Sequence, residues 1–438
     1  MFEKEEERLQ GVKKDFDDIS IPENRLDQAI FTGIQKAHRQ KKHSSFWIKT
    51  LIAAAAIVIL FLGSIRVSDT FASYIVKIPG MESIVELIRD DKGLLAAVGN
   101  EYVQKINQSD EHEGMKIVLD SIIVDEEQMV MFYYFETNKK PSKPISSKSI
   151  HLEKENGEEL NEISYSCCHE DAVVKKGRTK LVENTVDFAN SISDEKLTLV
   201  MKLAGFSSEW RIPFSIDRSK ISKKKTIQMQ KTVTVEDQQI FIDHVTFSPT
   251  KVGINVKFPA QNSKEIFDIE DLRLVDEHGE EWSKIQNGLV ARWGDNEKTY
   301  YLQSNYFEKP KKLYLVFNKI RALDRDEVNV VVDPAKETII KAPKDGKLYK
   351  VKSGALYGNN LGFYLSEEIY YQMFENSYTD SAGKLHEISS YMWSGSTKSG
   401  TTIGFPYSIN DSVSRKPITL KLTDYPAYIH GDVKIRIK

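Results

Sequence analysis

The residue types that most often carry chemistry are present, but they do not form a recognisable site. The chain has nine histidines and two cysteines in 438 residues, and the cysteines are adjacent at Cys167 and Cys168. With His169 they form the nearest approach to a metal-binding cluster, yet zinc sites use separated pairs such as Cys-x-x-Cys. We therefore predict no metal and a surface loop here, with ordinary cysteines at a strand end or, alternatively, a strained vicinal disulfide.

Motifs for nucleophilic or phosphate chemistry are also missing. Ser396 and Lys398 are close in sequence but lack the Gly-x-Ser-x-Gly spacing of a nucleophile elbow. Gly358–Gly362 lacks the lysine and the helix of a phosphate-binding loop, and Asp276–Glu280 is too short for an EF-hand. The acidic pair Glu280–Glu281 is interpreted as a solvated turn. We predict no catalytic residue and no cofactor, and hence a protein that is not an enzyme.

Aromatic side chains are concentrated in one part of the second half of the chain. They are Trp282, Trp293, Tyr300, Tyr301, Tyr306 and Phe307. We interpret them as the core and strand ends of a β domain. The alternative is a patch that contacts a carbohydrate or a peptide.

One apolar segment determines on which side of a membrane the other parts of the chain are predicted to lie. No charged residue lies between Lys49 and Arg66, and the segment 46–66 is long enough for a transmembrane helix if Lys49 reaches the headgroups. Trp47 suits an interfacial anchor. The alternatives are a buried helix of a soluble domain and a cleaved signal peptide, but the run is longer than a signal's apolar region and begins late.

Basic residues before the span set its orientation. Lys36, Arg39, Lys41, Lys42 and Lys49 lie before it or at its N-terminal end, whereas Arg66 is the only basic residue from its C-terminal end through Tyr74. By the positive-inside rule, residues 1–45 are cytoplasmic and residues 67–438 are extracellular. The protein is thus predicted to be a single-pass protein of the cell membrane.

The cytoplasmic head, residues 1–45, has the pattern of two short amphipathic helices separated at Pro22. Its apolar stripe is formed by Phe16, Ile19, Leu26, Ile30 and Ile34. So short a segment buries little surface alone, and its early acidic residues would be repelled by anionic lipid. We interpret these five residues as the binding site for a cytoplasmic partner, with a helix lying on the membrane surface as the alternative.

Composition favours folded domains outside the cell. Aromatic residues make up 10% of the chain, and so few cysteines exclude a disulfide-stapled exterior. The net charge of −3 gives no reason to expect direct nucleic-acid binding. We expect a bacterial surface protein whose extracellular ligand the sequence does not identify.

The exterior begins with helical patterns and continues with β patterns. Residues 67–109 are predicted as a juxtamembrane helical segment, followed by β modules at 110–218, 226–334 and 342–438. Segments around Asp120, Phe135 and Gly157 recur 122 or 123 residues later, which indicates an internal duplication. The predicted class is a membrane-anchored, mainly β protein with about three immunoglobulin-like β-sandwich modules. Gly157, Gly279 and Gly383 are predicted in equivalent turns that require positive φ.

From about Ile21-Pro22 to Phe135, the order of features resembles a family of single-span proteins of Gram-positive, spore-forming bacteria. The resemblance includes the basic head, the span, Ile78-Pro79-Gly80 and Asp91-Lys92-Gly93-Leu94. The family's exterior is a domain of unknown function, and many members are encoded beside extracytoplasmic-function sigma factors. The resemblance implies an anti-sigma factor whose head binds a sigma factor, without the zinc-binding variant because this head has no cysteine. The alternative is an envelope-binding or adhesion protein whose head is only an anchor.

Overall fold

A computed structural model gives the architecture of most of the predicted exterior. The residues that it describes are 80–138, 145–160, 162–167, 177–285, 291–294, 297–354, 360–389, 392–397, 400–407 and 416–438. The predicted head and the predicted span at 46–66 lie outside these ranges. Within the ranges, every helix falls short of the length and apolarity that a membrane crossing requires.

Two short helices precede the strands, as the sequence predicted. They are α1 (Glu82–Leu87) and α2 (Lys92–Gly99). The helical pattern was expected to continue to Ile106, but α2 ends at Gly99 and Ile106 lies in the first strand. Tyr102 and Val103, which lie between α2 and β1, are buried but not helical. They contribute apolar surface where the chain enters β1.

The first sandwich packs a six-stranded sheet against a three-stranded one. Its strands are β1 (Gln104–His112), β2 (Met115–Val124), β3 (Gln128–Thr137), β4 (Ser147–Lys154), β5 (Glu162–Cys167), β6 (Gly177–Arg178), β7 (Val182–Phe188), β8 (Lys196–Leu203) and β9 (Glu209–Ser215). The large sheet has the order β1-β2-β3-β7-β5 with β6 on β3, and the small one is β4-β8-β9, all antiparallel. Alternating apolar residues from both sheets form one core, with Trp210 fully buried in it.

The second sandwich repeats this plan. Its strands are β10 (Lys225–Val235), β11 (Gln238–Phe247), β12 (Lys251–Lys257), β13 (Lys264–Ile269), β14 (Arg273–Asp276), β15 (Glu281–Trp282), β16 (Ala291–Gly294), β17 (Glu297–Gln303) and β18 (Leu313–Asp324). One sheet has the order β10-β11-β12-β17-β16 and the other β13-β18-β14-β15. Trp282 and Tyr300 lie in the core between them.

The third sandwich is smaller. Its strands are β19 (Asn329–Asp333), β20 (Thr338–Lys341), β21 (Leu348–Ser353), β22 (Asn360–Leu365), β23 (Ser377–Thr379), β24 (Leu385–Glu387), β25 (Trp393–Thr397), β26 (Gly400–Pro406) and β27 (Ile418–Lys421). The two sheets have the orders β20-β19-β27-β23-β24 and β21-β22-β26-β25. Phe363, Phe374 and Phe405 pack against one another in its core. The prediction of a mainly β fold is therefore confirmed for the described residues.

The last strand, β28 (Tyr428–Arg436), does not belong to the third sandwich. We expected it there, within 342–438, but it pairs with β18 of the second sandwich, Leu315 opposite Ile435. In the first sandwich, β9 pairs with β8 in the same way, Leu199 opposite Ile212. β28 is therefore the counterpart of β9, and the third sandwich is inserted into the second, between β18 and β28.

Backbone geometry supports the duplication of the first two sandwiches. β1 and β10 each contain a bulge, at Asn107 and Gln230, where the residue has a positive φ of 51° and 48°. These positions are 123 residues apart, the offset seen in the sequence. The predicted glycine turns are also present: Gly157, Gly279 and Gly383 all have φ of 84°.

Candidate functional site: the joint between the helix pair and two sandwiches

The partner-binding residues predicted in the head lie outside the described residues. They are Phe16, Ile19, Leu26, Ile30 and Ile34. Lys398, Cys168, His169 and the loop 355–359 also lie outside. Ser396 is described, and its hydroxyl donates to the Ile369 carbonyl at 2.8 Å and lies 3.0 Å from Thr401 Oγ1, so it stabilises a loop.

Most members of the aromatic group have structural roles. Trp282 and Tyr300 are core residues, and Tyr301 is 8% exposed. Tyr306 and Phe307 pack edge to face, with ring centroids 5.3 Å apart. Phe307 also packs on Tyr102 of the first sandwich at 5.4 Å, so part of this group joins modules rather than binding a ligand.

The helix pair covers the outer face of the first sandwich's large sheet. Ile84, Ile88, Leu94 and Val98 form one apolar cluster with three sheet residues, and all seven are at most 4% exposed. The sheet residues are Ile123, Val130 and Phe132. Because this face is apolar, undocking the helices would expose it to water, which costs about 25 cal/mol per Å².

The start of α2 also contacts the second sandwich. Asp91 caps the helix by accepting the Leu94 backbone N–H at 3.0 Å, and desolvation raises the pKa of Asp91 to about 6. Gly93, in the first turn, lies so close to the chain after β17 that a Cβ there would be 2.4 Å from the Ser304 backbone nitrogen. Only glycine allows this approach.

Polar contacts from the residues just before Gly93 fix the start of α2 to the second sandwich. The Lys92 ammonium pairs with the Glu280 carboxylate and donates to the Glu281 carbonyl at 2.9 Å. The Gln303 amide donates to the Asp90 carbonyl at 2.7 Å. The turn that we expected to be merely solvated is therefore a docking surface for α2.

Below the helices, equivalent hairpin turns of the two sandwiches meet. Asp125 in the β2–β3 turn is fully buried, and its Oδ2 accepts from the Thr250 backbone N–H at 2.9 Å and the Thr250 hydroxyl at 2.6 Å. Thr250 lies in the β11–β12 turn, where Ser248 occupies the position 123 residues after Asp125. Burial raises the pKa of Asp125, which these hydrogen bonds oppose.

A buried ion pair completes this contact. Lys251 and Asp187 are 2% and 1% exposed at their side chains and pair across the two sandwiches. Asp187 also accepts from the Gln128 amide at 3.2 Å, and the Lys251 ammonium lies 4.2 Å from the centre of the Tyr301 ring. Such a pair needs close geometry to offset its loss of hydration, so it fixes the orientation of the two sandwiches.

The basic segment before β10 is held at the same joint. The Ser222 backbone N–H donates to the Tyr102 hydroxyl at 2.8 Å, and the Tyr306 hydroxyl donates to the Lys223 carbonyl at 2.9 Å. Lys224 pairs with Glu127 at 2.7 Å. The predicted boundary at 219–225 is thus a bound segment.

A second polar joint connects the second and third sandwiches. The Arg321 guanidinium makes two 2.8 Å hydrogen bonds to Asp424 and also pairs with Glu270 and Asp268. Lys284 and Lys298 bind Asp268 at 2.9 and 2.8 Å. Three cations and three carboxylates thus balance one another, although desolvation raises the pKa of Asp424 to about 6.

One acidic group among the described residues has oxygens close enough together for a metal ion. It consists of Asp324, Asp326 and Glu327. Lysines already compensate it, because Lys264 binds Asp324 at 2.8 Å and Lys344 binds Glu327 at 2.7 Å. We interpret the group as surface ion pairs.

Sequence reasoning did not identify the joint residues Gly93, Asp125, Asp187, Thr250 and Lys251. Nothing in the type or spacing of a single threonine or lysine indicates that it crosses between modules. The available signal was the internal duplication, because it places Asp125 and Ser248 in equivalent turns whose contacts can be compared.

Comparisons with known proteins give two family matches. Residues 42–137 match a domain of unknown function (DUF4179), and residues 224–352 match a family of unknown function (DUF5643). The first match runs through α1 and α2 to the end of β3, and the second runs from the start of β10 into β21. The chain therefore contains at least two regions that recur in other proteins.

One solved structure is also similar. Its title is "The crystal structure of the conserved domain protein from Bacillus anthracis", and it is 14% identical with a TM-score of 0.37. The similarity covers 55% of this chain and 84% of that one. No curated protein matches the chain.

Proposed function

We propose that this protein is a membrane-anchored regulator, an anti-sigma factor of an extracytoplasmic-function sigma factor. In this proposal the head at 1–45 binds the sigma factor in the cytoplasm. The span at 46–66 anchors the chain in the membrane, and the sandwiches form an extracellular region that senses or binds a ligand. The activity is binding, without catalysis.

The observation that carries the proposal is the joint. The helices that follow the predicted span in sequence are docked on the first sandwich and tied to the second by Gly93, Lys92 and Gln303. A passive spacer needs no such contacts, whereas a relay requires that a change in the sandwiches reach the chain near the membrane. Because α2 contacts both the first and the second sandwich, a change in either one can reach this helix.

The head supplies the other half of the proposal. Leu26, Ile30 and Ile34 recur at about one helical turn, so they would present a continuous stripe to a groove on a partner. A sigma factor bound there would be held at the membrane and away from RNA polymerase. Release then requires the partner to dissociate or the head to change.

The test introduces two charges into the stripe. Leu26→Asp with Ile30→Asp should abolish co-purification of the sigma factor with the full chain and raise transcription from its promoter. The matched control is Gln28→Asp with Gln35→Asp, which adds the same charge on the opposite helical face and should leave both readouts unchanged.

Two results would contradict the proposal. One is unchanged promoter activity with the stripe variant at normal abundance. The other is full function after the head and span are replaced by an unrelated anchor. The second result would favour the envelope-binding or adhesion alternative.

A further inference from the structure

A cavity of about 510 Å³ lies on the first sandwich, away from the joint. It opens on the outer face of β8 and β9, beside the bulge of β1. The lining is mixed. Its polar and charged residues are Lys105, Gln108, Glu155, Lys196, Thr198 and Ser215, and its apolar residues are Ile106, Leu197, Pro213 and Phe214. Its volume is in the range of small-molecule sites.

The cavity exists because two sheet edges separate. Next to it, β1 and β9 are held together: the Asp110 carboxylate accepts from the Arg211 N–H at 2.7 Å, and Glu113 accepts from the Ser207 and Ser208 N–H groups. On the other side of the bulge at Asn107, the Gln104 side chain accepts from the Asp217 N–H at 2.7 Å and donates to the Asp217 carbonyl at 3.1 Å. Bulges commonly redirect side chains next to functional sites.

The second sandwich has a corresponding seam between β10 and β28. There Glu236, the counterpart of Glu113, accepts from the His430 N–H at 2.9 Å. Lys231 stands where the first sandwich has Gln108, since both are the first paired residue after the bulge. The Lys231 ammonium crosses to the Arg436 carbonyl at 3.2 Å, and Arg436 is the counterpart of Pro213.

The charges around the cavity cancel. Lys105 pairs with Asp120 at 2.9 Å, and Lys196 pairs with Glu155 at 2.8 Å. The uncharged part of the lining is the Gln108 amide, the hydroxyls of Thr198 and Ser215, and the apolar side chains of Ile106, Leu197, Pro213 and Phe214. Neutral donors and acceptors beside a small apolar surface suit a ligand that carries many hydroxyl groups and no charge.

We propose that this cavity binds a neutral, polyhydroxylated ligand of the sugar type. The inference specifies the ligand class of the proposed sensing region and rests on that proposal for its biological consequence. Binding itself is measured without the sigma factor, so either proposal can fail while the other stands.

The experiment uses the full chain purified in a sugar-free zwitterionic detergent. Titration calorimetry with cellobiose, maltose and diacetylchitobiose should detect binding of at least one. Gln108→Lys, which copies the residue that spans the gap in the second sandwich, should abolish it. Thr198→Val and Ser215→Ala should each weaken it about tenfold, since each removes a hydroxyl partner. The control Lys231→Gln should have no effect.

Three outcomes would overturn the proposal. The first is that none of the disaccharides binds at millimolar concentration. The second is that binding persists in Gln108→Lys with unchanged affinity, which would place the site elsewhere. The third is that tripolyphosphate or trialanine binds in a manner that Gln108→Lys abolishes while the disaccharides do not, which would identify a different ligand class.

Discussion

Single side chains at the module joints have roles that their sequence neighbours do not share. Lys251 and Lys257 lie at opposite ends of the same strand, and each pairs with an aspartate. Lys251 is 2% exposed at its side chain and crosses between sandwiches, whereas Lys257 is 45% exposed and pairs within one. The exposed fraction of the side chain therefore distinguishes a lysine that orients two sandwiches from one that forms only a surface ion pair.

Lys251→Met should destabilise the protein by roughly 3–5 kcal/mol because it leaves the Asp187 carboxylate buried without its cation. Lys257→Met should cost less than about 1 kcal/mol. Chemical denaturation of both variants gives the comparison. Equal losses would show that the buried pair does not hold the sandwiches together.

Asp424 should give the second joint a pH dependence. Its pKa is about 6 in the folded protein and 3.8 when unperturbed, so the folded state favours the protonated carboxyl. Its contribution to stability is then fully present below about pH 4 and is lost as the pH rises to about 6. The loss amounts to roughly 3 kcal/mol.

Asp424→Asn provides the reference, because asparagine is neutral at every pH. The unfolding free energy of the wild type, measured relative to this variant, should fall between pH 4 and 6 and then level off. A difference that stays constant over this range would show that Asp424 titrates normally.

At the scale of elements, the position of α2 depends on Gly93, because a residue with a side chain would not fit there against the second sandwich. Gly93 contacts the backbone of Ser304, while Gly99 at the other end of the same helix has open space around it. Alanine favours a helix over glycine by about 1 kcal/mol. The two positions therefore separate helix propensity from docking.

Gly93→Ala should destabilise the protein and move α2 away from the second sandwich, whereas Gly99→Ala should be neutral or stabilising. Hydrogen exchange at α2 and Ser304–Phe307 reports the docking. If the proposed relay is correct, only Gly93→Ala changes the activity of the sigma factor. Similar exchange in both variants would remove the joint from the mechanism.

The sequence predicted most elements of the described exterior, and for clear reasons. Period-two patterns at Met115–Val124 and Gln128–Thr137 gave their strands, and the polar Gly turns gave hairpins. It did not predict that the helix pattern stops at Gly99, because buried residues at a strand entry mimic helical periodicity. The sequence also could not assign Val433–Ile437 to a sheet, because a local apolar pattern does not identify the strand with which a segment pairs.

At the scale of the molecule, the described residues form two duplicated sandwiches with a third inserted into the second. Two chain crossings, after β18 and before β28, connect the inserted sandwich to its host. Arg321 and Asp424 lie at these crossings and bind each other. The third sandwich is therefore held to the second by both chain crossings, which the Arg321–Asp424 ion pair joins.

Ile435→Ala tests this topology. Ile435 is 6% exposed in the core of the second sandwich, so truncation should cost roughly 2–5 kcal/mol. Hydrogen exchange should increase in β18 and its neighbours and not in the third sandwich. If the effect were confined to β19–β27, the assignment of β28 to the second sandwich would be wrong.

The inserted topology also dictates an order of assembly. A chain is made from its N-terminus, so the first sandwich is complete once Ser215 is available, but the second lacks strand β28 until Arg436 has been made. About a hundred residues must be synthesised, and a whole sandwich placed, before that gap can close. A chain that stops before β28 would thus have an incomplete second sandwich, so we expect the contact between α2 and this sandwich to form fully only after β28 has been made.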